Sequence, residues 1–272
     1  MSNRMKHVAL SLTMMAALLA GWAGLAGAEQ ITLDGSTGML PLANELVQAF
    51  KTKHASVPIE VGRGSSGASA MRAVTDGRLN LGLSSDLPGE AERAAGLQGL
   101  EIARAAVVFA VHASVTIPGL TTQQLCDVYA RKIKNWKEVG GSNLPILPLT
   151  RPVDEFDPTI IKKHNPCFKE ADGVLSLPKA GDMAKALASK PGAIGMINIT
   201  YVESSQGAMR ALVLNGTAPT PEAVRSGAYP LFRRFFLVTK GEPAGATAQF
   251  VAFVKSADGQ RVIQNTKAVP VK

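Results

Sequence analysis

The sequence predicts an α/β protein whose ligand lies at the carboxyl edge of a sheet. Three short apolar stretches, around Leu33, Ile59 and Leu81, each run into a turn of small polar residues. The first two of these turns lead on into helical patterns. Because the strands of such a sheet end at the same edge, we expect the three polar turns to lie together.

The first polar turn is Gly35-Ser36-Thr37-Gly38. It follows an apolar strand, and apolar residues then recur on one helical face up to Phe50. The glycines allow a tight turn, and the free amides and dipole of a helix start favour an anion. Ser36, Thr37 and Gly38 are therefore candidate anion ligands. Taken alone, an ordinary helix cap by Ser36 or Thr37 is the commoner explanation.

The second polar turn, residues 62–67 (GRGSSG), repeats this arrangement. Ser65, Ser66 and Gly67 are candidate ligands at its helix start. The glycine spacing matches a nucleotide P-loop, but Ala68 stands where the phosphate-binding lysine is required, which excludes a nucleoside triphosphate site. A plain N-cap at Ser65 or Ser66 is the alternative.

The third polar turn supplies Ser85 and Asp86 as candidate ligands. For Asp86 the alternative is a turn or cap residue before a proline. Further along, the continuous apolar run Val107–Val111 is typical of a buried central strand. Helices are then predicted for residues 121–128, 182–189 and 246–255, and strands for residues 144–149, 193–199 and 231–238. Residues 154–172 are polar and charged, with Pro158 and Pro166 as breakers, and residues 203–228 are predicted as surface loops.

Residues 1–28 have the composition of a cleaved signal peptide. Arg4 and Lys6 give a positive start, an apolar stretch follows, and small residues end at Ala28. A retained membrane helix is the alternative, but the glycines and the small-residue ending favour cleavage after Ala28. The sequence therefore predicts an exported protein, periplasmic or secreted.

The formal net charge of +8 attracts anions at long range. The basic residues are scattered with little aromatic interleaving, so nucleic acid is not an expected partner. Cys126 and Cys167 are the only cysteines. In an oxidising compartment such a pair suggests one structural disulfide, and two free buried thiols are the alternative. The sequence has no CxxC or HExxH spacing, so neither a metal site nor a cofactor is expected.

Taken in order, several stretches resemble the PstS-like phosphate-binding proteins of ABC transporters, which have the type II periplasmic-binding-protein fold. The matching stretches are the three polar turns, residues 107–136 with K-I-x-x-W at their end, Arg151, residues 191–197 (PGAIGMI) and residues 233–240 (RRFFLVTK). The resemblance runs over nearly the whole chain after residue 28. It implies two α/β lobes, each a mixed sheet flanked by helices, joined by two hinge strands.

The resemblance also implies how the chain is divided and what it does. One lobe would comprise residues 29–110 and 232–272, and the other residues 111–231. The expected ligand is phosphate or a related tetrahedral oxyanion, held between the lobes by a monomer that hands it to an ABC transporter permease. No enzyme is expected, and the sequence lacks a G-x-S-x-G nucleophile elbow.

Three candidate residues match the family's phosphate contacts by position. Ser65 matches a hydroxyl donor at a helix start, and Arg151 matches an arginine that meets the anion with its planar donor fork. Asp86 matches an acid that accepts a hydrogen bond from a protonated phosphate oxygen, which excludes fully ionised sulfate. For Arg151 the alternative is a surface arginine in a proline-flanked loop.

Two departures from the family leave a second hypothesis open. Met39 and Leu40 replace its threonine and aromatic residue before Pro41, and Glu155-Phe156-Asp157 replaces a Ser-Gly-Thr at a helix start. Carboxylates that faced a phosphate would repel it. The second hypothesis is therefore a PstS-like binding or sensing module with a cationic or neutral ligand.

Overall fold

The computed structural model describes residues 30–271, and the predicted signal peptide lies outside these residues. Among them, no helix combines the length and apolar character needed to cross a membrane. The strands are β1 (Ile31–Gly35), β2 (Ile59–Val61), β3 (Leu81–Ser84), β4 (Leu97–His112), β5 (Gly119–Leu120), β6 (Leu147–Thr150), β7 (Leu175–Ser176), β8 (Ala193–Asn198), β9 (Met209–Ala211), β10 (Val213–Leu214), β11 (Phe232–Lys240) and β12 (Val269–Pro270).

The helices alternate with these strands over most of the described chain. They are α1 (Leu40–Lys53), α2 (Gly67–Thr75), α3 (Glu90–Ala94), α4 (Thr122–Tyr129), α5 (Phe156–His164), α6 (Ala180–Ser189), α7 (Ile199–Ser204), α8 (Pro221–Ser226), α9 (Gly245–Lys255) and α10 (Ala257–Asn265). Two short 3-10 helices cover Thr37–Met39 and Trp136–Val139.

The main sheet is mixed and has two halves. Its strand order is β2-β1-β3-β11-β4-β8-β6-β7, and β9 and β12 also pair with β4. In the first half β1 is parallel to β2 and β3, while β11 runs antiparallel to β3 and β4. In the second half β6 is parallel to β7 and β8, and β8 runs antiparallel to β4. A separate pair joins β5 and β10.

The long strand β4 belongs to both halves. Its residues Leu97–Ala106 pair with β11, and Val107–Val111 pair with β8. Every side chain from Val107 to Val111 is buried, as expected for a strand covered on both faces. This architecture confirms the predicted two-lobed α/β fold. The exact lobe boundaries at residues 110/111 and 231/232 stay a prediction.

Regular structure occurs both in the polar stretch 154–172, despite its proline breakers, and in the predicted loops 203–228. Helix α5 forms despite Pro158, because this proline lies in the first turn, where an amide has no partner within the helix. Between residues 203 and 228, β9 pairs with β4 and β10 pairs with β5, and Thr220 caps α8. These pairings depend on partners far away in the sequence, which local composition does not reveal.

The two motifs that resemble the family, K-I-x-x-W ending at Trp136 and PGAIGMI at residues 191–197, pack against each other and against neighbouring elements of the second half. The indole of Trp136 is buried and donates a hydrogen bond to the carbonyl of Gly192, at 3.0 Å. Gly192 has a φ of +74°, and a side chain there would collide with the carbonyl of Pro145. A side chain at Gly195 would likewise collide with Met183 of α6. Both motifs therefore have packing roles.

Cys126 and Cys167 form a disulfide, which confirms that prediction. The bond joins α4 to the segment that follows α5, and the two Cα atoms lie 5.9 Å apart. Beside it, the buried rings of Phe109, Tyr129 and Phe168 contact one another. The disulfide thus fastens the polar 154–172 region to the core of the second half.

We expect the double variant Cys126→Ala/Cys167→Ala to lower the free energy of unfolding by about 2–4 kcal/mol, because it frees a long loop in the unfolded chain. The sequence separation of 41 residues sets the size of that loop. Urea unfolding at neutral pH measures the change, and wild-type protein unfolded with a reductant is the matched control. Equal stability of the variant and the oxidised wild type would contradict this role.

Candidate functional site

The three polar turns meet at one edge of the first half-sheet, as the sequence predicts. Strand β1 lies between β2 and β3, so their carboxyl ends are neighbours. The amide of Ser36 donates to the carbonyl of Leu83 at 2.8 Å, and the amide of Ser65 donates to that of Gly35 at 2.7 Å. The hydroxyls of Ser36 and Ser85 lie 3.4 Å apart. The turns therefore form one group of polar side chains.

Within this group several candidates have local structural roles. The hydroxyl of Ser66 accepts a hydrogen bond from the amide of Ser69 at 3.1 Å, so Ser66 is the N-cap of α2, as the alternative explanation holds. Gly67 is the first residue of that helix. The side chains of Ser65 and Asp86 are exposed, and Asp86 hydrogen bonds through its backbone to the hydroxyl of Ser84.

The first turn also touches the second half of the molecule. The carbonyl of Thr37 accepts a hydrogen bond from the hydroxyl of Tyr201 at 2.6 Å. The carbonyl of Gly38 accepts one from the side-chain amide of Asn198 at 2.9 Å. The hydroxyl of Thr37 accepts a third from the amide of Ala180, at the start of α6. The lobes are thus in contact through this turn.

Arg151 follows β6 and lies inside that contact. Its side chain is only 3% exposed, so the alternative of a surface arginine is wrong. Its Nη2 atom forms an ion pair with Glu155 at 2.9 Å, and its Nε atom lies 4.0 Å from Oδ2 of Asp157. Glu155 precedes α5, so a helix does start at this loop, as in the family pattern.

A second buried arginine, Arg233, is absent from the predicted site. It lies on β11, its side chain is 4% exposed, and its Nη1 atom is 3.6 Å from Oδ1 of Asp157. Its guanidinium lies over the ring of Phe156, 4.8 Å from the centroid. A side chain added at Gly38 would collide with it. The sequence contained a signal for it. Successive side chains of a strand point to opposite faces of the sheet, so one of Arg233 and Arg234 must point towards the protein interior.

We call Arg151, Asp157 and Arg233 the charge cluster. Asp157 is 1% exposed and lies between the two guanidinium groups. Four buried atoms of the cluster have no hydrogen-bond partner: Nε and Nη1 of Arg151, Nε of Arg233 and Oδ1 of Asp157. Unpaired buried polar atoms of this kind cost about 1–3 kcal/mol each. Three donors and one acceptor are suited to a small ligand that is anionic and carries a proton.

The pKa of Tyr201 is influenced by the two arginines of this cluster. Burial raises the pKa of Tyr201 to about 12, while the charges of Arg151 and Arg233 act in the opposite direction. The phenol therefore stays protonated at neutral pH and keeps its hydrogen bond to Thr37. Within residues 30–271, no group of His, Cys, Asp and Glu side chains could hold a metal ion.

The chain as a whole is similar to known proteins. The family model described as the PBP superfamily domain matches residues 22–258. The chain is 28% identical over 245 residues to the phosphate-binding protein PstS of Bacillus subtilis strain 168, covering 89% of this chain and 80% of that protein. It is 24% identical over 255 residues to PstS of Borreliella burgdorferi, covering 89% and 90% of the two chains.

A solved structure gives the same relationship. It is described as a phosphate ABC transporter substrate-binding protein with bound phosphate from Clostridium perfringens. It matches with a TM-score of 0.73 and 28% identity, over 90% of this chain and 100% of that one. These relatives are binding proteins, which confirms the prediction that the chain is not an enzyme.

We expect Tyr201→Phe to lower the free energy of unfolding by about 1–2 kcal/mol, because Thr37 loses a buried hydrogen-bond donor. The folded-state pKa of Tyr201 lies above the ordinary tyrosine value of 10.0. The advantage of wild type over the variant is therefore full below pH 10 and falls as the pH rises towards 12. Denaturant unfolding of both proteins at several pH values measures it. Equal stability at neutral pH, or an advantage that grows above pH 10, would contradict this.

Proposed function

Because this chain belongs to the PBP superfamily, we propose that it is an exported solute-binding protein that captures phosphate or a related tetrahedral oxyanion between its two lobes. In this proposal residues 1–28 are removed on export to the periplasm or the cell exterior. The protein acts as a monomer, and its partner is the permease of an ABC transporter. Ligand is delivered by opening of the lobes about the hinge strands, without chemistry.

The observation that carries the proposal is that Arg151 is buried with unpartnered donor nitrogens. It is buried where the lobes meet, and two of its guanidinium nitrogens lack a partner. The sequence resemblance matches it to the family's anion-binding arginine. A buried guanidinium with unused donors is strongly favoured by a bound oxyanion, which supplies both charge and acceptors. The names of the relatives, two phosphate-binding proteins and one structure with bound phosphate, point to the same ligand class.

The polar turns complete the binding region in this proposal. Ser36, Thr37 and Gly38 connect the strand-end group to the interlobe contact, and Ser65, Ser66, Gly67, Ser85 and Asp86 line the edge from which the ligand enters. Two features favour an anion there: the hydroxyls of Ser36 and Ser85 lie close together, and α2 begins at Gly67 with its amides at this edge. The net charge of the chain adds long-range attraction for an anion.

One observation favours the second hypothesis, a PstS-like module with a non-phosphate ligand. The carboxylate of Glu155 forms an ion pair with Arg151, and Asp157 lies against the same arginine. An internal carboxylate already supplies part of the charge that an oxyanion would bring. A cationic or neutral ligand would then meet a site without excess positive charge, and Glu155→Gln would weaken its binding.

We expect phosphate or arsenate at 100 times its Kd to stabilise the protein by about 2.7 kcal/mol, or a rise in Tm of roughly 5–10 °C. Arg151→Gln should weaken binding at least about tenfold, because it removes the donor fork. Thermal unfolding and calorimetric titration of residues 29–272 with phosphate, arsenate, molybdate and sulfate measure these effects.

The matched control is Arg225→Gln, which removes an exposed arginine from α8. It should leave both Kd and Tm close to those of wild type. If none of the four oxyanions shifts Tm at millimolar concentration, the oxyanion function is refuted. Stabilisation by a cation that Glu155→Gln abolishes would support the second hypothesis instead.

A further inference from the structure

We propose that Arg233 is a second ligand-binding arginine and that Asp157 accepts a hydrogen bond from the protonated oxygen of the bound oxyanion, so that the charge cluster is the ligand-binding site. This inference rests on the proposed oxyanion function and names the side chains that hold the ligand. It predicts a preference for tetrahedral oxyanions that carry a proton, such as hydrogen phosphate and hydrogen arsenate, over fully ionised sulfate.

The two arginines come from different halves of the main sheet. Arg233 comes from β11 in the first half of the sheet, and Arg151 follows β6 in the second half. Phe156 and Asp157, at the start of α5, reach Arg233 from the second half. An oxyanion held by both guanidinium groups would therefore be gripped from both lobes. Binding and closure would be one event.

The residues of the charge cluster do not satisfy one another's hydrogen-bonding groups. Asp157 lies 3.6 Å from Arg233 and 4.0 Å from Arg151, which is longer than a hydrogen bond. The unpartnered nitrogens of both arginines and the unpartnered oxygen of Asp157 are all buried. Their natural complement is a group with several acceptor oxygens and one hydroxyl. A singly protonated tetrahedral oxyanion has that composition.

The charges of the cluster agree with this ligand. Two buried guanidinium groups face one buried carboxylate, which leaves one positive charge, and the half-exposed Glu155 offsets part of it. Asp157 and the half-exposed Glu155 balance the two buried guanidinium groups only in part, so an added anion stabilises the cluster. The carboxylate of Asp157 does not repel an anion as an isolated charge would, because it lies near a guanidinium group on each side.

Asp157 is better placed than Asp86 to accept a hydrogen bond from the ligand's hydroxyl group. The side chain of Asp86 is exposed, whereas that of Asp157 is buried with an unpartnered oxygen beside both arginines. A carboxylate in such surroundings discriminates strongly, because sulfate would bring an oxygen without a proton against it. In an exposed position water would accommodate either ligand.

The first test is the Kd for phosphate of Arg233→Gln, measured by calorimetric titration at neutral pH. We expect it to rise at least about tenfold. Arg234→Gln is the matched control, since Arg234 is the next residue on β11, is exposed, and pairs with Glu101. The control should keep the wild-type Kd. If Arg233→Gln keeps it too, the proposal is overturned.

A second variant, Arg233→Lys, tests the same role in case Arg233→Gln does not fold. Arg233→Lys keeps the buried charge but lacks the planar fork, so it should still weaken phosphate binding at least severalfold. Circular dichroism and the Tm without ligand establish that each variant is folded. A folded Arg233→Lys with the wild-type Kd would also overturn the role of Arg233.

The second test is the ratio of the sulfate Kd to the phosphate Kd. Asp157→Asn should lower this ratio at least about tenfold, because the amide can donate to sulfate where the carboxylate repels it. Asp154→Asn, an exposed neighbour in the same loop, should leave it unchanged. A merely structural counter-charge at Asp157 would alter both affinities alike. An unchanged ratio in Asp157→Asn, or a changed one in Asp86→Asn alone, overturns the acceptor role.

Wild-type protein separates this inference from the proposed function. If wild type binds phosphate and the Arg233 and Asp157 variants behave like their controls, only this inference falls. If wild type binds none of the oxyanions, the proposed function fails and the inference fails with it. Loss of phosphate binding in Arg233→Gln with retention in Arg234→Gln supports both.

Discussion

The structure depends on how two buried guanidinium groups are balanced where its halves meet. Arg151 and Arg233 are almost fully buried, and between them lies the buried carboxylate of Asp157. Charges removed from water are tolerated only when partners satisfy them, and here several polar atoms remain without one. This imbalance constrains the contact between the lobes and makes an anionic ligand its natural complement.

The fold brings these charges together from two distant parts of the chain, residues 151–157 and Arg233. Strand β4 passes through both halves of the sheet, and β11 pairs along its first part, so Arg233 lies next to the crossing. The turn at Thr37 and Gly38 reaches the second half through Tyr201 and Asn198. The disulfide and the Trp136–Gly192 hydrogen bond stabilise the lobe that carries Arg151. Packing thus positions charges that are costly on their own.

Local patterns predicted most of the fold but only part of the candidate site. Strand ends with small polar residues and the apolar run of β4 are local signals, and both have the expected place in the sheet. The burial of Asp157 between two arginines is not local, because Arg233 follows it by more than seventy positions. The sequence therefore predicted two equivalent carboxylates at Glu155 and Asp157, although the two differ in burial and in their partners. Glu155 is half exposed and pairs with Arg151, whereas Asp157 is enclosed.

The most direct test is to locate the bound anion itself. Arsenate replaces phosphate with an atom that is found by anomalous X-ray scattering, so a crystal grown with arsenate shows its position without prior assumptions. We predict the arsenic between the lobes, with its oxygens within hydrogen-bond distance of Arg151 and Arg233 and one of them against Asp157. Arsenic bound only at Ser65 and Asp86, away from Arg233, would contradict the central claim.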